Sequence, residues 1–384
     1  MDPYIEIINP WWYYNNWKNR DGDIKKWKSQ RYKWVPGWLG QISLKPFSLN
    51  FIIGARQVGK TTGIKLLIKN LIEGGVNSEK IVYVDVDLIS SLDIFQRLLF
   101  SIEDFDYIFL DEVTSLDNWW KPLRGAIDSG IFEDKRIVVS GSVSIKLRKQ
   151  AELFPGRMGM GKILEILPLN FPEYVKIVGE NEKVPTTKLR KRFEEYKDFG
   201  GFPGAINEKE IFYQEFVRAI ESEILKAGLS VETSIKIFSS LIEKIPSAMS
   251  YQAIARDIGI SYKTVEQYLE YFQNMFLVKI VYWREKNVNF RKEKKIFFRD
   301  PFILKAISFW TGTKFLESSL YEGIVQEHLY RRYGEIYYYR NKYEIDCVAG
   351  NLRVEVKAGK PHRKYPRNVL VLEEKDLPGF LMEF

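Results

Sequence analysis

At 384 residues, with 45% apolar and 28% charged side chains, the chain exceeds one ordinary core and reads as two or three globular domains. No apolar run reaches the length of a membrane span and the Trp-rich start is unlike a signal peptide, so a cytoplasmic chain with no membrane partner is expected. One cysteine, Cys347, with only His328 and His362 beside it, excludes an internal disulfide and leaves a Cys/His zinc site unexpected, while the net charge of +8 is clustered. Lys279 to Asp300 holds eight Lys/Arg against three acids and Leu352 to Asn368 six against one. Such clustering suggests a polyanion, most simply DNA; the bland alternative is a solvated surface.

Residues 1–46 contain Trp11, Trp12, Trp17, Trp27, Trp34 and Trp38, interleaved with Asn, Lys and Pro. The segment either stacks bases or packs as an aromatic belt on the next domain, and packing is the favoured reading.

From 47 to 169 the pattern alternates strand and helix, as in a parallel sheet with helices on both faces. The expected strands are Leu49–Ile53, Ile81–Val86, Tyr107–Leu110, Arg136–Val139 and Ile163–Leu167. Between the first strand and a helical run lies Gly54-Ala55-Arg56-Gln57-Val58-Gly59-Lys60-Thr61-Thr62, which fits the phosphate-binding loop. A strand turning through glycines into a helix start aims several N–H groups at one point, where an anion is favoured. ATP is the expected ligand, with Lys60 on its β- and γ-phosphates and the Thr61 hydroxyl on Mg²⁺. The third strand ends in Asp111-Glu112. Asp111 is placed to hold Mg²⁺ and Glu112 to polarise the attacking water. Asp85 and Asp87 also end a strand, and a cap or turn is the preferred reading. The fourth strand runs into Ser140-Gly141-Ser142, either a γ-phosphate or water contact or a simple turn. Arg157, on the tight Pro155-Gly156 loop, is a candidate arginine finger acting in its own subunit or in a neighbour's; Arg148 and Arg124 are weaker candidates.

Residues 170–243 read as a helical lid beside the nucleotide site, broken at Gly200-Gly201-Phe202-Pro203-Gly204. Residues 244–300 read as a helix-turn-helix with a wing: helices Tyr251–Ile258 and Tyr262–Asn274, the second capped by Ser261, then strands Val278–Trp283 and Lys295–Phe298 around a basic loop. Tyr262, Lys263 and Glu266 would face the major groove and the loop would touch phosphates; winged helices also mediate protein contacts.

Residues 301–384 carry a second constellation. A helix from about Leu316 to Tyr333 bears Glu322 and Glu327. A hairpin turns at Gly350-Asn351, setting Asp346 opposite Glu355. Two facing carboxylates repel, and a divalent metal would relieve them. Lys357 points to the same face, which is the set that metal-assisted phosphodiester cleavage needs. The alternative is a charged solvent face with Glu344 paired to Lys357.

Taken with Asn9-Pro10-Trp11-Trp12, Phe109-Leu110-Asp111-Glu112, Gly156-Arg157, the Pro168–Glu173 run, Gly200-Gly201-Phe202-Pro203, Glu344-Ile345-Asp346 and Glu355-Val356-Lys357, the chain resembles prokaryotic, largely archaeal, AAA-type ATPases with a C-terminal PD-(D/E)XK nuclease-like domain. The resemblance implies an α/β fold: an AAA-like P-loop core, a helical lid, a winged helix-turn-helix and a restriction-endonuclease-like α/β end domain. It implies metal ligands at Asp346 and Glu355 with a helix glutamate, Glu322 favoured over Glu327. Ser140 stands where members often carry Thr, which keeps the hydroxyl. The expected function is a Mg²⁺-dependent ATPase that binds DNA and couples nucleotide state to the nuclease-like domain. The alternative is a nucleotide-controlled DNA- or protein-binding switch with an inert docking domain. An arginine finger would allow an oligomer.

Overall fold

A computed structural model of the chain describes residues 3–141, 153–179, 184–208, 210–359 and 364–384. Ser142, Arg148 and His362 lie outside the described residues. The chain forms two units, Met1–Leu167 and Pro168–Phe384.

The first unit opens with helices α1 (Pro3–Ile8) and α2 (Gly22–Ser29). Strands β1 (Ser48–Gly54), β2 (Ile81–Asp85), β3 (Tyr107–Asp111), β4 (Arg136–Gly141) and β5 (Ile163–Ile166) follow, with helices α3 (Lys60–Glu73), α4 (Leu92–Ser101) and α5 (Trp120–Asp128) between them. The strands order as β2-β3-β4-β1-β5, and every pairing is parallel. All seven β1 residues are buried, as a central strand covered on both faces requires. β4 lies between β1 and β3, so the glycine loop and Asp111 leave the sheet two strands apart.

β2 is an edge strand, and side chains of the N-terminal segment satisfy it. The Asn9 side chain accepts from the Tyr83 amide at 2.7 Å and donates to the Tyr83 carbonyl at 2.8 Å. The Trp11 and Trp12 indoles both donate to the Ile81 carbonyl, at 3.1 and 2.8 Å. An edge that would otherwise recruit another strand is thereby blocked. Trp38 fills a notch at Gly63, where an added Cβ would lie 2.2 Å from its ring, so it packs on its own domain.

The second unit begins with helices α6 (Phe171–Ile177), α7 (Thr186–Phe199), α8 (Pro203–Glu208), α9 (Glu210–Lys226), α10 (Val231–Lys244), α11 (Tyr251–Ile258) and α12 (Tyr262–Asn274). Asn170 and Glu173 form a capping box on α6. Strands β6 (Val278–Arg284), β7 (Val288–Asn289) and β8 (Lys295–Phe298), helices α13 (Pro301–Thr311) and α14 (Glu317–Tyr333), strands β9 (Tyr337–Arg340), β10 (Glu344–Ala349), β11 (Leu352–Lys357) and β12 (Leu370–Glu373), and helix α15 (Leu377–Leu381) complete it. The sheet orders as β12-β11-β10-β9-β6-β7, with β8 also on β6. It runs across residue 300, where the sequence reading drew a domain boundary.

The Gly200-Gly201 pair is a docking surface inside this unit. Gly200 has φ +60°, and a Cβ there would stand 1.9 Å from Asp300 Oδ1. The Gly201 amide donates to Asp300 Oδ2 at 2.9 Å. Phe202 then packs on Phe216 and Phe302. Among the described residues no helix is long and apolar enough to cross a membrane.

Candidate functional site

In the first unit, Gln57 (φ 61°) and Gly59 (φ +89°) take left-handed backbone conformations in the turn between β1 and α3, with Gly59 at the N-cap. Such alternation folds successive N–H groups inward as an anion nest. Lys60 is buried and donates to the Gly54 and Ala55 carbonyls at 3.0 and 2.9 Å, so its ammonium lies within the loop. Gly54 is pressed against β5, where a Cβ would stand 2.3 Å from the Ile166 carbonyl oxygen.

The elements converge on Asp111, which is 1% exposed. Its Oδ2 accepts from the Thr61 hydroxyl at 2.7 Å and the Tyr83 hydroxyl at 2.9 Å. Its Oδ1 accepts from the Ser140 hydroxyl and, at 3.1 Å, from the Glu112 amide. Ser140 thus engages the acid at the neighbouring strand tip. The Glu112 amide also donates to Ser140 Oγ at 3.3 Å, and Glu112 itself adopts φ 52°. A hydroxyl and one carboxylate are the hard oxygen donors with which a protein holds Mg²⁺ alongside substrate phosphates, so Thr61 and Asp111 fit that ion.

Asp85 Oδ1 accepts from the Asp87 amide at 3.1 Å, the turn expected for that pair. Asp85 is also the register partner of Asp111, and burial, then the Asp111 charge, pushes its carboxyl up to about 6. Sequence reasoning missed Tyr83 and Lys65. Burial first, then Asp111, holds the Tyr83 phenol well above its usual range. The Lys65 ammonium stands 3.5 Å from the Tyr83 ring centroid and 3.2 Å from Asp21, and burial lowers its pKa. Only the strand register, which sets Tyr83 two residues before Asp85 on one face, could have pointed to it.

Arg157 sits after the turn its Pro-Gly pair predicts, with Gly156 at φ +70°. Its Nε lies 2.5 Å from Asp128 of its own chain, and Arg124 reaches the same carboxylate at 3.6 Å. These two candidates therefore share one acid.

In the second unit, α14 is buried from Ser319 to Leu329, so each of its polar side chains needs a partner. Gln326 donates to the Asp346 carbonyl at 3.1 Å. Glu327 binds Arg299 through two bonds, at 3.0 and 3.1 Å, and Arg331 at 2.8 Å. Although burial opposes it, these guanidiniums hold the Glu327 carboxyl below its usual range. Glu322 instead meets Asp346 through a lysine. The buried Lys295 ammonium lies 2.6 Å from Asp346 Oδ1, 2.9 Å from Glu344 and 3.1 Å from Glu322.

The hairpin pairs Ala349 with Leu352 and Val348 with Arg353, the register that sets Asp346 and Glu355 across from each other. What relieves these carboxylates is ammonium. Lys357 bonds Glu355 Oε1, which also accepts from the Tyr365 hydroxyl at 2.8 Å. Asp346 Oδ2 accepts from the Val356 amide at 2.8 Å. Glu344 pairs with Lys295 rather than Lys357. Among the described residues no group of three or more His, Cys, Asp or Glu is arranged to hold a metal ion. Asp346, Glu355 and Glu322 do not fit the metal expected there, because Lys295 holds the oxygen that a metal would share.

Residues 47–175 match the family model described as an AAA domain. The stretch that holds the glycine loop and Asp111 is therefore similar to an AAA domain. Residues 190–314 match a domain of unknown function. An uncharacterized protein of Methanocaldococcus jannaschii is 26% identical over 335 residues, 80% of this chain and 73% of that one. An uncharacterized protein of Haemophilus influenzae is 22% identical over 250 residues, and this chain spans 61% of its length. Among solved structures, the Aeropyrum pernix ORC2 protein in its ADPNP–ADP complexes aligns at a TM-score of 0.42 and 13% identity, over 69% of this chain and 88% of that one. The Thermotoga maritima RuvB Holliday junction branch migration motor aligns at 0.34 and 17%, over 70% and 91%.

Proposed function

We propose that the chain is a Mg²⁺-dependent ATP phosphohydrolase that binds DNA. The observation that carries the first part is the convergence of Thr61, Ser140 and Glu112 on the buried Asp111, beside a glycine loop that matches an AAA domain. The loop amides bind the phosphates, and Lys60 exchanges its loop carbonyls for the β- and γ-oxygens. Thr61 and Asp111 hold Mg²⁺, which when bound neutralises charge developing on the transferred group. Ser140 and the Glu112 amide keep the Asp111 carboxylate turned toward Thr61. The Glu112 carboxylate accepts a proton from the attacking water. Arg157, released from Asp128, is the finger candidate, in its own or a neighbouring subunit. The test is ATP turnover, which Lys60→Ala and Asp111→Asn must each abolish.

DNA binding rests on the second unit. Tyr262, Lys263 and Glu266 are exposed on α12, and Lys286, Arg291 and Lys292 are exposed on the loop between β6 and β8. Their exposure supports the reading of a winged helix that reads a groove with one helix and touches phosphates with its wing. Of the two roles for the nuclease-like end domain, cleavage and docking, the lysine among its acids favours docking.

A further inference from the structure

We propose that Lys295 is a built-in cation standing where the end domain would otherwise take a divalent metal, so the acid cluster accepts a metal only when that ammonium is removed. The inference deepens the docking reading of this domain. Four carboxylates from three elements gather here: Glu322 on α14, Glu344 and Asp346 on β10, and Glu355 on β11. Lys295 comes from β8, whose four residues are all buried, and its side chain is 3% exposed. A lysine is almost never found so deep without partners. Its ammonium has three protons and three carboxylates within 3.1 Å, one for each.

Asp346 Oδ2 already accepts from the Val356 amide, and Oδ1 faces Lys295. Glu355 is 1% exposed; its Oε1 takes Lys357 and Tyr365, while its Oε2 is buried with no hydrogen-bond partner among the described residues. One acceptor therefore remains unpaired in the cluster, yet a dication reaching Asp346 would meet an ammonium at 2.6 Å from the same oxygen. Two cations bound to one buried carboxylate oxygen repel each other, so the lysine and the metal compete for Asp346.

The experiment is a Mn²⁺ titration of the full chain followed by electron paramagnetic resonance. It compares wild type, Asp346→Asn, Lys295→Arg, Lys295→Met, and Lys295→Met with Asp346→Asn. Wild type, Asp346→Asn and Lys295→Arg are expected to bind the same amount of Mn²⁺ at millimolar metal. Lys295→Met is expected to gain one site per chain, tighter by about tenfold or more than any at this position in wild type. The added Asp346→Asn change is expected to remove it. A wild-type site that disappears in Asp346→Asn would overturn the proposal, as would a folded Lys295→Met chain that gains nothing. Should Lys295→Met not fold, the wild-type and Asp346→Asn pair decides alone. DNA affinity of the wild type in chelator reports separately on docking, since loss of DNA binding would leave the metal result standing.

Discussion

Both oxygens of Asp111 carry hydrogen bonds in the free chain, and two donors, Thr61 and Tyr83, share Oδ2. If Thr61 turns to Mg²⁺, Tyr83 remains as the group that keeps that oxygen in place. Tyr83 is therefore a positioning residue. Removing a partner that orients a metal ligand commonly weakens metal binding by about tenfold or more. Tyr83→Phe is expected to raise the Mg²⁺ concentration for half-maximal ATP turnover about tenfold, with kcat near wild type at saturating Mg²⁺. An unchanged Mg²⁺ midpoint would remove Tyr83 from the site. In the second unit, His328 is fixed as a neutral ring: its Nε2 accepts from the Phe171 amide at 2.9 Å, and its Nδ1 lies 2.7 Å from the Ile324 carbonyl. Burial, then Arg331, lowers its pKa from 6.5 to about 4. The folded state binds this proton less readily than the unfolded one, so the stability is present above pH 6.5 and lost as pH falls toward 4. Wild type should exceed His328→Gln in denaturant stability above pH 6.5, and the difference should shrink by up to about 3 kcal/mol at pH 4. A difference independent of pH would contradict the assignment.

At the scale of elements, the parts built from local rules were legible in the sequence. The glycine loop, the Asp-Glu strand end, helices α11 and α12 with the Ser261 cap on the second, and the β10–β11 register each follow from neighbours in the chain. What escaped depends on distant partners. No period shows that Asn9, Trp11 and Trp12 complete an edge strand more than sixty residues away. The short strand β12 and helix α15 lack a repeat long enough to read. A facing pair of carboxylates implied a cation; that Lys295 supplies it was written only as a lysine in an otherwise apolar strand. The β6–β8 loop gives the element-scale test. Reversing Arg291 and Lys292 to Glu should lower DNA affinity about tenfold in a fluorescence anisotropy titration and flatten the log–log salt slope by about two. An unchanged slope would place the DNA, if bound, elsewhere.

At the scale of the whole molecule, one unit carries the proposed nucleotide site, and the other carries a candidate DNA surface and a buried ion cluster. Chemistry in the first is assembled at strand ends, as open parallel sheets allow. In the second, the sheet joins β6 to β9, so the candidate wing and the end domain share one backbone ladder. A change felt by the wing strands thus meets the strands bearing Asp346 and Glu355 without crossing a linker. ATP turnover at the glycine loop is the activity proposed for the molecule. Phosphate release by the full chain with ATP and Mg²⁺, wild type beside Lys60→Ala, tests it most directly. Wild type is expected to show Mg²⁺-dependent turnover, and the variant to lose at least about a hundredfold. Equal turnover in the two proteins would contradict it.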